Sequence, residues 1–208
     1  MKQLIEIQYF GCVYGFFQAY KEKYVLIEQY ESYQKMSLRN RCQILGAGKV
    51  IELSVPLLGG RDQKLPIREV EIDNGQPWAM QHWRTLESCY NKSPFFLHYG
   101  GQVKDILFAG FKTIWELDLA SFDWAVAKLG DGITRELTGS FQKNVEENIT
   151  DNRNRFLPAN RERFQLQPYQ QVFGNGFNTN LSVLDLLFNL GPQAKDYLQK
   201  AGGIGLTH

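Results

Sequence analysis

At 208 residues the chain has the length of one large domain, and 43% hydrophobic content with 14 Phe, 10 Tyr and 4 Trp promises a substantial core and excludes a disordered chain. Its 23 basic and 22 acidic residues balance to a net charge of +1, so no global field favours nucleic acid or an anionic membrane surface. No stretch approaches the roughly 20 apolar residues of a membrane span, and the charged start around Lys2 and Glu6 is too short and polar for a signal peptide, so the expected location is the cytoplasm.

In chain order, Leu4 to Tyr9 reads as a strand and Val13 to Lys23 as a helix with Phe16, Phe17 and Tyr20 inward. Tyr24 to Ile27 is a continuous apolar run, as a strand covered on both faces requires. Strand, helix and buried strand make a parallel crossover, so the chain opens as an α/β protein with a Rossmann-like β-α-β unit. Gly46-Ala47-Gly48 supplies a turn, and the alternation of Ile51, Leu53, Val55 and Leu57 returns a half-buried strand from it. Ile67 to Asp73 is expected to add a third antiparallel strand, giving a small mixed sheet with flanking helices. Gly59 to Gln63 between them is a polar loop.

Pro77 suits the first turn of a helix running to about Tyr90, and Ser93-Pro94 starts another through Phe95, Phe96 and Tyr99. Lys112 to Leu129 is the clearest helix, with Trp115, Leu119, Phe122, Val126 and Leu129 recurring at threes and fours and Gly130 placed to stop it. A short strand is expected at Ile133 to Leu137. From Gln142 to Arg163, and on to residue 166, the sequence is polar without an apolar period and is expected to be an exposed loop. Ser182 with Asp185 three residues on is a capping-box pattern opening a C-terminal helical segment over 180–200, broken by Gly191-Pro192. The whole of 1–208 reads as a single domain.

The stretch from Lys35 to Gln43, KMSLRNRCQ, mixes cations with apolar residues more closely than any other. Read as a strand, it puts Arg39 and Arg41 on one face roughly 7 Å apart, with Leu38, Asn40, Cys42 and Ile44 on the other. Two arginines so spaced, with Lys35 in reach, suit an anionic ligand through charge-assisted bonds. The alternative is two solvated arginines on a sheet face, with Asn40 capping a loop from inside.

Cys12, Cys42 and Cys89 are an odd number at wide spacing, fitting neither a disulfide framework nor a zinc motif, and are expected to be reduced and buried. His82, His98 and His208 are too dispersed to hold a metal, there is no phosphate-loop pattern, and no cofactor is expected. The intrinsic titration of a histidine side chain lies near neutrality, which makes His82 a candidate general base, against the alternative of a hydrogen-bonded core histidine between Trp78 and Leu86. A direct pair with Cys89 is out of reach along the helix.

Several stretches together, YFGCVYGFFQAY, YQKMSLRNRCQI, LSVPL, WAMQHWRTLESCYNKSPFF, PYQQVF and LSVLDLLFNLGP, resemble the WbqC-like protein family, closest in motif to the branch common in Bacteroidetes-type bacteria. The resemblance covers most of the chain from Gln8 to Leu198, apart from the polar loop. Members often occur among genes for O-antigen and other surface polysaccharides. The resemblance therefore implies a transferase-type enzyme of polysaccharide biosynthesis, acting on a nucleotide-activated sugar or moving an acyl or aminoacyl group onto an amino sugar. Its alternative is a non-catalytic protein that binds an anionic sugar nucleotide or a partner enzyme.

Motif positions matched here are Tyr9, Gly15, Lys35, Arg39, Asn40, Arg41, His82, Arg84, Tyr90, Gln171 and Asp185. The implied roles are catalysis by His82 and Lys35, and ligand binding by Tyr9, Arg39, Asn40, Arg41, Arg84, Tyr90 and Gln171. Asp185 is left to helix capping. The implied partner is an anionic small molecule, a nucleotide sugar or acyl donor, with no nucleic acid and no membrane insertion. This chain departs from the family pattern at Gly11-Cys12, where a proline is usual, and in lacking the longer segment of other branches around Gln142 to Leu166. The opening unit also looks like the start of a nucleotidyltransferase-type Rossmann fold, but Val13 and Phe16 stand around Gly15 where that chemistry needs two histidines.

Overall fold

β1 (Lys2–Ile5), α1 (Val13–Glu22) and β2 (Tyr24–Ile27) form the expected parallel crossover, with Leu4 opposite Leu26. The structure, a computed structural model, describes residues 2–130, 132–141, 143–173 and 176–200. Val13, Phe16, Phe17 and Tyr20 recur at threes and fours on α1 and are buried. The helix ends at Lys23, whose left-handed φ of 60° lets its N–H donate to the Ala19 carbonyl. Val25 and Ile27 of β2 are fully buried, as an inner strand covered on both sides requires. β1 is shorter than the alternation predicts, because the chain leaves the sheet after Ile5 while Ile7 and Tyr9 stay buried.

The hairpin forms where predicted, from β3 (Arg41–Gly46) and β4 (Lys49–Ser54), around a turn in which Gly48 takes a φ of +77°. It is a separate antiparallel sheet, not part of a mixed one. The third antiparallel strand at Ile67 to Asp73 is absent. Ile67–Glu69 is instead a turn of 3-10 helix after Pro66, and isolated bridges, Leu57 to Ile72 and Glu71 to Thr113, pair the segment with its neighbours.

α2 (Trp78–Tyr90), α3 (Phe96–Leu107) and α4 (Ile114–Leu129) follow as predicted, with α4 opened by a capping box of Thr113 and Glu116 and stopped at Gly130. β5 (Thr134–Leu137) then pairs parallel with β2. The polar segment holds the main correction. It contains β6 (Ile149–Asp151), which pairs parallel with β1 and completes a sheet in the order β5-β2-β1-β6. A 3-10 helix, Pro158–Arg163, follows, and Asn152, Phe156, Phe164 and Leu166 are buried. The segment lacks an apolar period because polar side chains hold it, Asn152 Nδ2 donating to Gln3 Oε1 at 2.9 Å. Gln142 lies outside the described residues. α5 (Val183–Leu190) runs through the core, with residues Val183 to Asn189 all buried, and α6 (Gln193–Lys200) packs outside it.

From β1 the chain runs to β2 and β5 on one side and returns to β6 on the other. The strand order reverses between β1 and β6, the place where open parallel sheets form a crevice beyond their carboxyl ends.

Candidate functional site at the carboxyl edge of the sheet

Each parallel strand delivers polar residues as it leaves the sheet at its carboxyl end. After β1, buried Glu6 accepts from Gln8 Nε2 at 2.8 Å and from the Asn154 N–H, beyond β6, at 2.8 Å. After β2, fully buried Glu28 accepts from the Tyr30 N–H, from Thr138 Oγ1 beyond β5, each at 2.9 Å, and from Arg153 Nη1 at 3.3 Å. Three residues on, Glu31 receives Arg39 Nε at 2.7 Å and Nη2 at 2.5 Å, and the same Nη2 reaches Asn154 Oδ1 at 2.9 Å. Burial raises the Glu31 carboxyl above its ordinary range, and the Arg39 bonds oppose that rise.

The floor of this edge thus carries Glu6, Glu28, Glu31 and Asp151 against the guanidiniums of Arg39 and Arg153, the latter also holding Asp151 at 2.7 Å. Tyr30 and Phe141 stay 46% and 53% exposed beside it, and the Phe141 ring centre lies 5.3 Å from the Arg153 guanidinium carbon. Arg68 reaches Gln29 Oε1 at 3.1 Å, and Arg155 reaches Asn152 Oδ1 at 2.7 Å, placing two further cations at the rim. Carboxylates accept from hydroxyl and ammonium groups, exposed rings stack on C–H faces, and rim arginines suit phosphate.

The start of α1, also at this edge, is closed by the chain itself. The Val13 N–H donates to the Leu181 carbonyl and the Tyr14 N–H to Asn180 Oδ1, both at 2.8 Å. These donors are therefore taken, and the nucleotidyltransferase-type use of a helix start for phosphate is not available.

The structure brings the predicted residues together in three groups, of which those of His82 and Asn40 adjoin at Ser54 and Val55. Tyr9 and His82 meet, the tyrosine hydroxyl and Nδ1 being 2.9 Å apart, while His82 Nε2 is 3.2 Å from the Ser54 carbonyl. A carbonyl only accepts, so Nε2 carries the proton and Nδ1 accepts from Tyr9. Burial lowers the His82 pKa to about 4, against a smaller rise from the Ser54 bond, and the ring is neutral at pH 7. Tyr90, Gln171 and Asp185 form the second group. The Asp185 carboxylate receives the Tyr90 hydroxyl at 2.8 Å, the Tyr169 hydroxyl at 2.6 Å and Gln171 Nε2 at 2.8 Å, and its pKa is raised by burial despite them. The predicted capping box is therefore half right: Ser182 caps the Leu184 N–H, but Asp185 is a buried clamp between α2, α5 and the 169–171 segment.

Arg39 and Asn40 form the third group, around Glu31 and Tyr33. Asn40 Oδ1 accepts the Tyr33 hydroxyl at 2.9 Å, and its Nδ2 donates to the Val55 carbonyl at 2.9 Å. The single anion site of Lys35, Arg39 and Arg41 is not formed. Residues 35–40 are irregular, with Met36 at a φ of 60°, so the strand begins only at Arg41 and the shared face does not exist. Each cation has its own carboxylate: Lys35 takes Asp62 on the surface, Arg39 takes Glu31 in the interior, and Arg41 takes Glu52 at 2.7 Å. Arg84 stands exposed on α2.

Sequence reasoning passed over Glu6, Glu28 and Glu31, whose signal was a carboxylate just past an apolar strand, and also Asp118. Ile114, Leu117, Asp118, Ser121, Phe122 and Ala125 all lie on the buried face of α4, and a carboxylate inside such a stripe is the signal that was available. Neither Asp118 oxygen, nor Arg39 Nη1, has a hydrogen-bond partner among the described residues. Burial pushes the Asp118 carboxyl well above its ordinary range, with Arg39 opposing.

The cysteines are free and buried as expected, and burial pushes the Cys12 thiol up to about 12 and raises Cys42 as well, so neither is a thiolate nucleophile. Among the described residues no group of three or more His, Cys, Asp or Glu could hold a metal ion, and no helix is long and apolar enough to cross a membrane.

A family model described as the WbqC-like protein family matches residues 9–163 and 159–197. An uncharacterized protein, Rv1507c of Mycobacterium tuberculosis (strain ATCC 25618 / H37Rv), is 28% identical over 222 residues, spanning 89% of this chain and 92% of that protein. No solved structure matches the chain significantly.

Proposed function

The chain belongs to the WbqC-like protein family, and from that premise we propose that it is a cytoplasmic enzyme of bacterial surface-polysaccharide biosynthesis that binds an activated amino sugar at the carboxyl edge of its parallel sheet. The observation that carries this reading is the gathering of Glu28, Arg153, Tyr30 and Phe141 at that edge: buried carboxylates below, exposed rings beside them, arginines at the rim. A sugar ring presents a C–H face to the aromatics and hydroxyls to the carboxylates. Its amino group is drawn to a floor where four carboxylates face two guanidiniums, and its phosphates to Arg68 and Arg155. The acidic floor favours transfer onto an amino group over a role for the whole site in gripping an anion. His82 serves as the neutral partner that fixes Tyr9 in the loop after β1, and Lys35 reaches a phosphate only by leaving Asp62.

The second reading, a non-catalytic binding protein, is favoured by one fact: both His82 nitrogens and every carboxylate of the floor already hold hydrogen bonds, leaving no idle base among those groups. Thermal-shift titration with nucleotide-activated amino sugars, free amino sugars and acyl donors tests the site. Glu28→Gln and Phe141→Ala should each abolish the shift that Arg84→Ala retains. A shift that survives both and disappears in Lys35→Ala would move the site to the loop near Asp62. Mass spectrometry of the incubated sugar then separates the readings, a covalent mass change marking the enzyme and binding without one marking the binding protein.

A further inference from the structure

Beside the acidic floor, at the reversal between β1 and β6, a narrow cleft of about 20 Å³, room for one water- or methyl-sized group, opens against the first turn of α1. Ile5, Phe16, Phe122 and Phe156 make its apolar walls, with the Phe16 and Phe122 rings stacked at 5.5 Å, and Glu6 and Gln8 make one polar end. Gly15 lines it as well and is partly exposed, whereas the walls are buried. A glycine inside a helix weakens it relative to alanine, and nothing local forces glycine here. A Cβ built on Gly15 would lie 3.6 Å from Cys12 Sγ and 3.8 Å from Phe156 Cδ2, which are ordinary contacts. Alanine therefore fits the backbone. What it would take away is space in the cleft.

We propose that this cleft is a subsite for a small acyl substituent, an acetyl-sized group carried on a second nitrogen of the bound amino sugar, apart from the free amino group drawn to the acidic floor. The walls suit a methyl group, and the narrowness excludes a long chain. Glu6 keeps lone pairs beyond those used by Gln8 Nε2 and the Asn154 N–H, and one of these can accept an amide N–H at the polar end. The placement follows from the sheet: Ile5 and Ile27 are paired, so Glu6 and Glu28 leave adjacent strands side by side, and a sugar seated over Glu28 carries its substituent toward Glu6. This inference rests on the amino-sugar reading above and specifies what that site distinguishes.

The test compares the N-formylated and N-acetylated forms of a diamino sugar that keeps one free amino group, each nucleotide-activated, by calorimetric titration of the wild-type protein, Gly15→Ala and Gly101→Ala. Gly101 lies on α3 with open space around its missing side chain, and so controls for the general effect of replacing a helical glycine. The wild type and Gly101→Ala should bind the N-acetylated form about fourfold more tightly, the effect of burying one methyl group. Gly15→Ala should fold with an unchanged or raised melting temperature, bind the N-formylated sugar as before, and lose that preference. Equal binding of the two sugars by the wild type, or a preference that survives Gly15→Ala, overturns the acyl subsite while leaving the amino-sugar site standing. Binding of neither sugar by the wild type overturns both.

Discussion

Arg39→Ala should be among the most damaging single substitutions in the chain. The Arg39 side chain is fully buried and that of Glu31 is 6% exposed, so removing the guanidinium strands a carboxylate in the interior, where burial above all, then Glu6 and Glu28, already raise its pKa. Breaking such a pair costs about 3–5 kcal/mol, far more than its net contribution, because the surviving charge keeps its desolvation penalty. For a domain of this length that corresponds to a fall in melting temperature of roughly 6–20 °C. Arg41 is the internal control. Its pair with Glu52 is 2.7 Å long and its own side chain is 12% exposed, but Glu52 is 36% exposed, so the carboxylate left behind stays in reach of water and Arg41→Ala should cost about 0–1 kcal/mol. Urea unfolding of both variants, checked for an unchanged denaturant slope, gives the comparison directly. The double variant Arg39→Met with Glu31→Gln should recover most of the loss, since a neutral pair leaves no stranded charge. Equal costs for Arg39→Ala and Arg41→Ala, within about 1 kcal/mol, would refute the buried-pair reasoning.

His82 should impose an acid limit on stability. Its pKa is about 4 in the folded protein against an ordinary 6.5, so the unfolded chain binds more protons between those values; stability is complete above pH 6.5 and falls as pH drops toward 4, by about 3 kcal/mol in total. In His82→Gln, unfolding measured across this window should lose that slope. Asp118→Leu should raise stability by about 1–3 kcal/mol at pH 7, because it removes a buried carboxyl without partners, and chemical denaturation showing a loss instead would mean that the group is satisfied. Phe156→Ala should cost about 3–5 kcal/mol, as for a core aromatic, and a change under 1 kcal/mol would return the segment around it to the status of a loose loop.

The opening crossover, the hairpin and the helices were legible because each rests on an apolar period or run local to its own residues: Tyr24 to Ile27, Val13 to Tyr20, Trp115 to Leu129. β6 was not legible, since a three-residue edge strand fixed by Asn152, Asn154 and their side-chain partners leaves no hydrophobic pattern. The Lys35 to Gln43 stretch misled for a related reason. Alternation was the right rule from Arg41 onward, but it could not show that Glu31, eight residues earlier, draws Arg39 out of register and inward. The candidate site failed to announce itself because its members come from the exits of four strands. Glu6, Glu28, Thr138 and Arg153 are neighbours only once the strand order is known.

Hydrogen–deuterium exchange of the protein with and without a saturating nucleotide-activated amino sugar tests the central claim most directly. The account predicts that protection on binding concentrates in residues 28–31, 138–141 and 151–154, where Glu28, Tyr30, Phe141 and Arg153 stand. Protection confined to residues 33–35 and 61–64, around Lys35 and Asp62, would contradict it and place the ligand on the surface loops instead.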